Sequence, residues 1–259
     1  MKKNRNTRFR IYVFGFYVLL IAIWQSVVTF KEIREYIFAG PVAVGQRLWE
    51  LGVDGMLWPS IKATMFRMAV GFAISAAIGL FIGLLMGTSR IVNRCLKSLF
   101  LGLQTLPTAA WVPISLLFFG LSDNGIYFVI IMSSVAAVAI ATSDGILNIP
   151  QMYLRAARTL GTPAYAIPSH VILPAALPSI VTGIKLGWTL GWHGAVSAEL
   201  IKSSVGLGYL LHMGRELNDA AQVLGIMVLT IFFGLLLDWF CFGLIERRIR
   251  VRWGLERAN

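Results

Sequence analysis

The sequence predicts an all-α membrane protein with six transmembrane helices, and three observations carry that expectation. Apolar residues make up 57% of the 259-residue chain and charged residues only 14%, with a mean hydropathy of +0.74. Soluble domains carry about 25% charged residues, so a soluble fold of this length would lack the polar surface to cover itself. Runs without Asp, Glu, Lys or Arg occupy 11–30, 68–89, 98–122, 124–143 and 220–237. Each is near or above the roughly 18–20 residues that cross a bilayer as a helix. Basic residues gather between the runs. With the N-terminus inside, fifteen Lys and Arg fall in inside segments (2–10, 90–97, 155–158 and 247–257) and five outside (Lys31, Arg34, Arg47, Lys202 and Arg215). That is the bias the positive-inside rule expects. It spreads the net charge of +11 over four membrane-flanking segments, which suits anionic lipid heads rather than nucleic acid.

The spans are placed at 11–30, 60–87, 99–120, 124–147, 176–200 and 219–245, in one transmembrane domain covering 1–259. The first follows Met1-Lys2-Lys3-Asn4-Arg5 and has no small-residue cleavage site after it, so it is read as a span and not as a signal peptide. Residues 31–59 read as an external loop with a short interfacial helix over 44–51. Span two carries Gly71, Ser75, Gly79, Gly83 and Gly87, and span five carries Gly183, Gly187, Gly191 and Ala195, each row four apart. Helices in lipid gain little from the hydrophobic effect and associate by close backbone approach, which such rows permit. A row at this spacing drifts about 40° per step on a straight helix, so one ridge is not expected to face a single neighbour along its length.

One step beyond each row stand Arg67 and Glu199, both toward the outer side. They either pair, or share a water-filled cavity, or sit apart with Arg67 snorkelling and Glu199 at the interface. Span three holds Pro107 and Pro113 around Trp111; two prolines remove helix hydrogen bonds and bend the span. Backbone exposed at this depth needs protein or water over it, so the stretch from Leu106 to Pro113 is a candidate for the lining of a path, or else a packing kink. Residues 121–124 read as a tight turn that makes spans three and four antiparallel neighbours. In span five, Lys185 either snorkels inward or serves an inner gate, and Asp238 in span six poses the same choice. His193, beside Trp188 and Trp192, is a packing residue or a candidate for the path.

Between spans four and five lies a short basic segment. Pro150 can open a helix, Ala156, Ala157 and Leu160 favour one, and Gly161 with Thr162-Pro163 ends it. Pro168, Pro174 and Pro178 then break the chain on its way back into the bilayer. This segment resembles the motif of ATP-binding cassette importer permeases: Glu-Ala-Ala, three residues, Gly, nine residues, Ile, one residue, Leu-Pro. Ala156, Ala157, Gly161, Leu173 and Pro174 fall in register and Val171 takes the Ile position; Arg155 stands where the family usually has Glu. Thr64-Met65-Phe66-Arg67, Pro107 to Pro113, Val196 to Glu199, Gly206 to Tyr209 and Glu246-Arg247-Arg248 are similar to the nitrate/sulfonate/taurine branch.

The resemblance implies a type I importer permease fold in a bacterial inner membrane, with both termini cytoplasmic. It makes 150–172 a coupling segment whose residues Arg155, Ala156, Ala157, Arg158, Thr159, Leu160 and Gly161 dock on an ATPase. It also implies two ATPase subunits, a second permease copy (expected as a homodimer) and an extracytoplasmic solute-binding protein. The implied function is a translocation path for a small anion, with Arg67, Pro107, Trp111, His193 and Glu199 as path candidates. No Gly-x-x-x-x-Gly-Lys-Ser/Thr loop and no nucleophile cluster is present, so the chain is expected to be non-catalytic, with ATP and Mg held by the partner. No metal-ligand spacing appears, and Cys95 and Cys241 lie in segments placed in the reducing cytoplasm, where a disulfide is not expected. The rivals are an ion-gradient transporter, which would want two related halves and midplane carboxylates, and a membrane-embedded enzyme; His170, His193 and His212 are too scattered for the latter.

Overall fold

The structure, a computed structural model, describes residues 2–30, 38–201 and 205–243. These form ten α-helices and no strand: α1 (Lys2–Phe30), α2 (Pro41–Val53), α3 (Leu57–Thr88), α4 (Arg90–Gln104), α5 (Trp111–Phe119), α6 (Asp123–Leu147), α7 (Gln151–Thr159), α8 (Leu173–Glu199), α9 (Leu207–Glu216) and α10 (Ala220–Leu237). Four segments are long and apolar enough to cross a membrane: Leu57–Thr88, Asp123–Leu147, Pro168–Glu199 and Ala220–Phe240. To these the six expected spans add α1, whose described apolar stretch is Gly15–Thr29, and a bent pair built from α4 and α5. The basic C-terminal segment, Cys241's side chain, and the positions of Lys31, Arg34 and Lys202 lie outside the described residues.

α6 is the centre of the bundle, and the small-residue rows explain how. A Cβ on Gly79 would stand 2.7 Å from the Val138 side chain, one on Gly83 2.5 Å from Thr142, and one on Gly87 2.7 Å from Ile146. Gly71 meets Ile130 in the same way, and Ser134 donates to Ser75, 59 positions away, at 2.7 Å. The constant offset makes α3 and α6 parallel and in register. On α8, Gly183 lies on Ala141, Gly187 on Val138 and Gly191 on Met68 and Ile130, so α8 runs antiparallel to both.

The α3 row therefore stays on one neighbour throughout, contrary to the drift expected from a straight helix. A repeat longer than 3.6 residues keeps facing one partner when the pair wraps in the right-handed sense.

The bend expected at the prolines of span three is present, but only one of the two makes it: Arg90–Gln104 and Thr108–Phe119 meet at 93°. Pro107 sits at the break, before the 3-10 turn Thr108–Ala110, while Pro113 falls in the first turn of α5, where a missing N–H costs little. The basic residues Arg90, Arg94 and Lys97, expected in a loop, lie on α4 itself. Lys97 Nζ and Asn93 Nδ2 donate to Asp144 and Ser143 of α6.

Nor do Pro168, Pro174 and Pro178 break the return into the membrane. Pro168 opens a π-helical turn (Pro168–Ile172) that runs straight into α8, Pro174 lies in the first turn of α8, and Pro178 alone is internal. The tight turn at 121–124 holds as expected, and Phe128 packs on Phe119 and Trp111, ring centroids 5.4 and 6.3 Å apart. Arg47 of α2 donates to Asp219 at 2.6 Å and to Gln222 at 2.9 Å, which ties α2 to the start of α10.

Candidate functional site

The register of the bundle brings three helix ends together: the N-terminal parts of α3 and α6 and the C-terminus of α8. Arg67 and Glu199 pair there. Arg67 is 8% and Glu199 1% exposed, and Arg67 Nη1 donates to Glu199 Oε1 at 2.9 Å. Arg67 Nε donates to Asp123 Oδ1 at 2.8 Å, and Nη1 also donates to the Val205 carbonyl at 2.6 Å.

Glu199 Oε2 accepts from the Thr64 hydroxyl at 2.7 Å and from Gly208 N–H at 3.1 Å, while Thr64 Oγ1 accepts from Leu207 N–H at 2.9 Å. A buried carboxylate with three kinds of donor is stable only as a complete network. Gly206 and Gly208 are required by close approach: a Cβ would stand 2.6 Å from the Glu199 carboxylate and 2.5 Å from Glu199 Cβ, respectively. The cluster fastens α3, α6, α8 and the turn into α9 at one point.

A cavity of about 630 Å³ lies between α8 and α10, with Lys185, Trp188, His193, Ser197, Thr230 and Asp238 in its wall. Lys185 Nζ lies 3.2 Å from Asp238 Oδ2, so the two intramembrane charges form a pair. Trp188 stacks edge-on against Phe72 at 5.1 Å and lies 5.8 Å from Phe242. A second cavity, of about 220 Å³, sits where α4 and α5 bend, between Trp111, Thr108 and Ser133.

At the opposite end from Arg67, α7 projects from the bundle. Its C-terminus is a Schellman cap: Thr162 N–H donates to the Ala157 carbonyl and Gly161 N–H to that of Arg158, both at 3.0 Å, with Gly161 at φ +76°. Ala157 is its buried residue. Arg155, Ala156, Arg158 and Thr159 are exposed, as are the apolar side chains of Met152, Leu160 (84%) and Tyr165 (86%).

Of the path candidates, the structure therefore joins Arg67 to Glu199 and puts both on a buried cluster away from either cavity. Trp111 stands on the smaller cavity with Pro107 at the break beside it, and His193 stands on the larger one. Sequence reasoning missed Thr64 and Asp123 as partners of the cluster, and it treated Lys185 and Asp238 singly. An intramembrane Lys and an intramembrane Asp in one chain were the available signal for that pair. Among the described residues no group of His, Cys, Asp and Glu could hold a metal ion.

Comparison with known proteins follows the same lines. A family model described as "Binding-protein-dependent transport system inner membrane component" matches residues 76–251. The chain is 33% identical over 245 residues to the nitrate import permease protein NrtB of Leptolyngbya laminosa, covering 91% of this chain and 85% of that one. It is 36% identical over 191 residues to the bicarbonate transport system permease protein CmpB of Synechococcus elongatus, covering 73% and 68%. It is 29% identical over 228 residues to the taurine transport system permease protein TauC of Escherichia coli, covering 86% and 83%. Among solved structures, a chain of the MetNI methionine ABC transporter in inward-facing conformations aligns with a TM-score of 0.60 at 18% identity, covering 75% of this chain and 98% of that chain. The last likeness is one of fold.

Proposed function

The chain belongs to the family of binding-protein-dependent transport system inner membrane components, and from that membership we propose that it forms the translocation path of an ATP-driven importer for a small anion. The relatives are named for nitrate, bicarbonate and taurine, solutes that are small and share an anionic group of oxygens. The solute arrives on an external binding protein. The permease pairs with a second copy of itself, and ATP is hydrolysed with Mg on two partner subunits. Both termini and α7 face the cytoplasm.

The observation that carries this reading is α7. It is a capped helix with apolar side chains exposed at one end of an apolar bundle, a surface suited to being gripped. Residues 155–161 are the gripped part. Arg155, at the usual Glu position, is exposed there and supplies charge to the contact.

The test uses native membrane vesicles. A cysteine at Thr159 or Leu160 is expected to crosslink to an ATP-hydrolysing subunit, and binding-protein-dependent uptake of nitrate, bicarbonate or taurine is expected to require ATP. Uptake that persists without ATP and collapses with the ion gradient would replace this reading by a secondary transporter.

A further inference from the structure

The side of α8 opposite its small-residue ridge carries a second row at the same spacing. Lys185, Thr189, His193 and Ser197 stand four apart, each two positions beyond a member of the small-residue row, and two residues turn a helix by about 200°. The glycines of that row pack on α6. The polar row lines the 630 Å³ cavity, whose other wall is Thr230, Gly234 and Asp238 of the α10 segment. It runs about 18 Å along the helix, more than half the thickness of a hydrocarbon core. Polar side chains in such a row are costly against lipid and belong to a wet path or a protein partner. The volume falls in the range of small-molecule sites.

The wall holds both signs of charge and both kinds of open polar atom: the buried Trp188 indole N–H has no acceptor, and Asp238 Oδ1 has no donor, among the described residues. Lys185 and Asp238 cancel at one end, and Asp238 is the only carboxylate among the described lining residues. The Thr189 and Thr230 hydroxyls donate their hydrogens to the carbonyls of Lys185 and Ile226, so Lys185, the Trp188 N–H, His193 and Ser197 are left among the donors of the wall. His193 and Ser197 carry donors further along the row, and His193 is exposed. Trp188 and Trp192 flank the row with apolar surface. Asp238 also opens a π-helical turn, Asp238–Gly243, a feature that recurs at functional sites because it lets a helix repack locally. Arg67, buried on α3, already faces the carboxylates of Glu199 and Asp123.

We propose that the Lys185–Thr189–His193–Ser197 face of α8 is the wall along which the solute moves, and that Lys185, handed over by Asp238, is the cation that receives a small anion there. This rests on the reading that the chain carries a solute across the bilayer.

The test measures local charge selectivity in the full complex in native vesicles. In a background with Cys95 and Cys241 replaced by serine, Thr189→Cys and Ser197→Cys are each treated with anionic methanethiosulfonate ethylsulfonate and with its cationic trimethylammonium counterpart. The anionic reagent is expected to react faster at Thr189→Cys. Lys185→Gln should lower the anion-to-cation rate ratio about tenfold, Lys185→Arg should restore it, and Asp238→Asn should raise it.

Faster reaction with the cation, or a ratio indifferent to Lys185→Gln, overturns the anion class. No reaction of either thiol in any nucleotide state overturns the wet face. If Lys185→Gln does not assemble, the Arg and Asn variants still decide the sign. These rates do not depend on transport, so failure of the importer reading shows separately, as uptake that ignores ATP.

Discussion

Glu199 is a carboxylate almost without contact with water, and its burial dictates what surrounds it. Removing one member of such a pair leaves an uncompensated charge that costs about 3–5 kcal/mol, whereas removing both costs much less. Arg67→Met and Glu199→Gln are therefore each expected to lower the melting temperature of the detergent-solubilised protein sharply, with the double variant less damaged than the sum. Additive losses in that cycle would mean that the two do not act as a pair. Arg67 and Glu199 were legible because each extends a row of small residues by one step. Asp123 was not, since it sits in a turn where a charge is ordinary, and Thr64 was not, since a hydroxyl one turn before Arg67 usually satisfies its own backbone. Lys185 and Asp238 were visible separately, but no periodicity links residues on two helices that far apart in the chain.

At the scale of the element, the small-residue rows set the distance between α3, α6 and α8, because the neighbouring backbone occupies the space a side chain would need. At Gly83 an added Cβ would lie 2.5 Å from Thr142 Cβ and 2.7 Å from the Ala139 carbonyl, with backbone on one side that cannot turn away. Gly83→Val is expected to cost about 1–3 kcal/mol through forced separation of α3 from α6. It should appear as a clear drop in melting temperature, while Gly102→Ala, where nothing lies within 4 Å, stays within error apart from helix propensity. Equal behaviour of the two variants would remove the ridge as the reason for the packing. The rows were readable because glycine repeated every fourth residue in an apolar helix weakens the helix and is useful there mainly for close packing. Their partner was not, since α6 offers ordinary Ile, Val, Ser and Thr in return. The prolines misled in the other direction. Their type is plain in sequence, but whether one breaks a helix depends on which turn it occupies, and the helices of spans three and five begin at Arg90 and Leu173, ahead of the apolar stretches that mark those spans in the sequence.

Across the whole molecule, the two ends are fastened unequally. One end is closed by the Arg67–Glu199 cluster and by Arg47, which α2 directs at Asp219 and Gln222 of α10. At the other end, α7 follows α6 after three residues, and Ile149 in that short link is buried in a cluster with Ala176 and Ile180 of α8. Gly145, one turn earlier, lets α8 approach so closely that a Cβ would stand 2.8 Å from Ser179. A displacement of α7 therefore reaches α6 and α8 through packed side chains, and through α6 it reaches α3. Ile149→Ala removes the largest side chain in that link without touching the exposed face of α7 that we propose docks on the ATPase. The expected outcome is full crosslinking of Leu160→Cys to the ATP-hydrolysing partner and retained ATP hydrolysis, with several times more ATP consumed per solute imported. Normal coupling in this variant would show that force enters the bundle somewhere other than the α7–α6 joint.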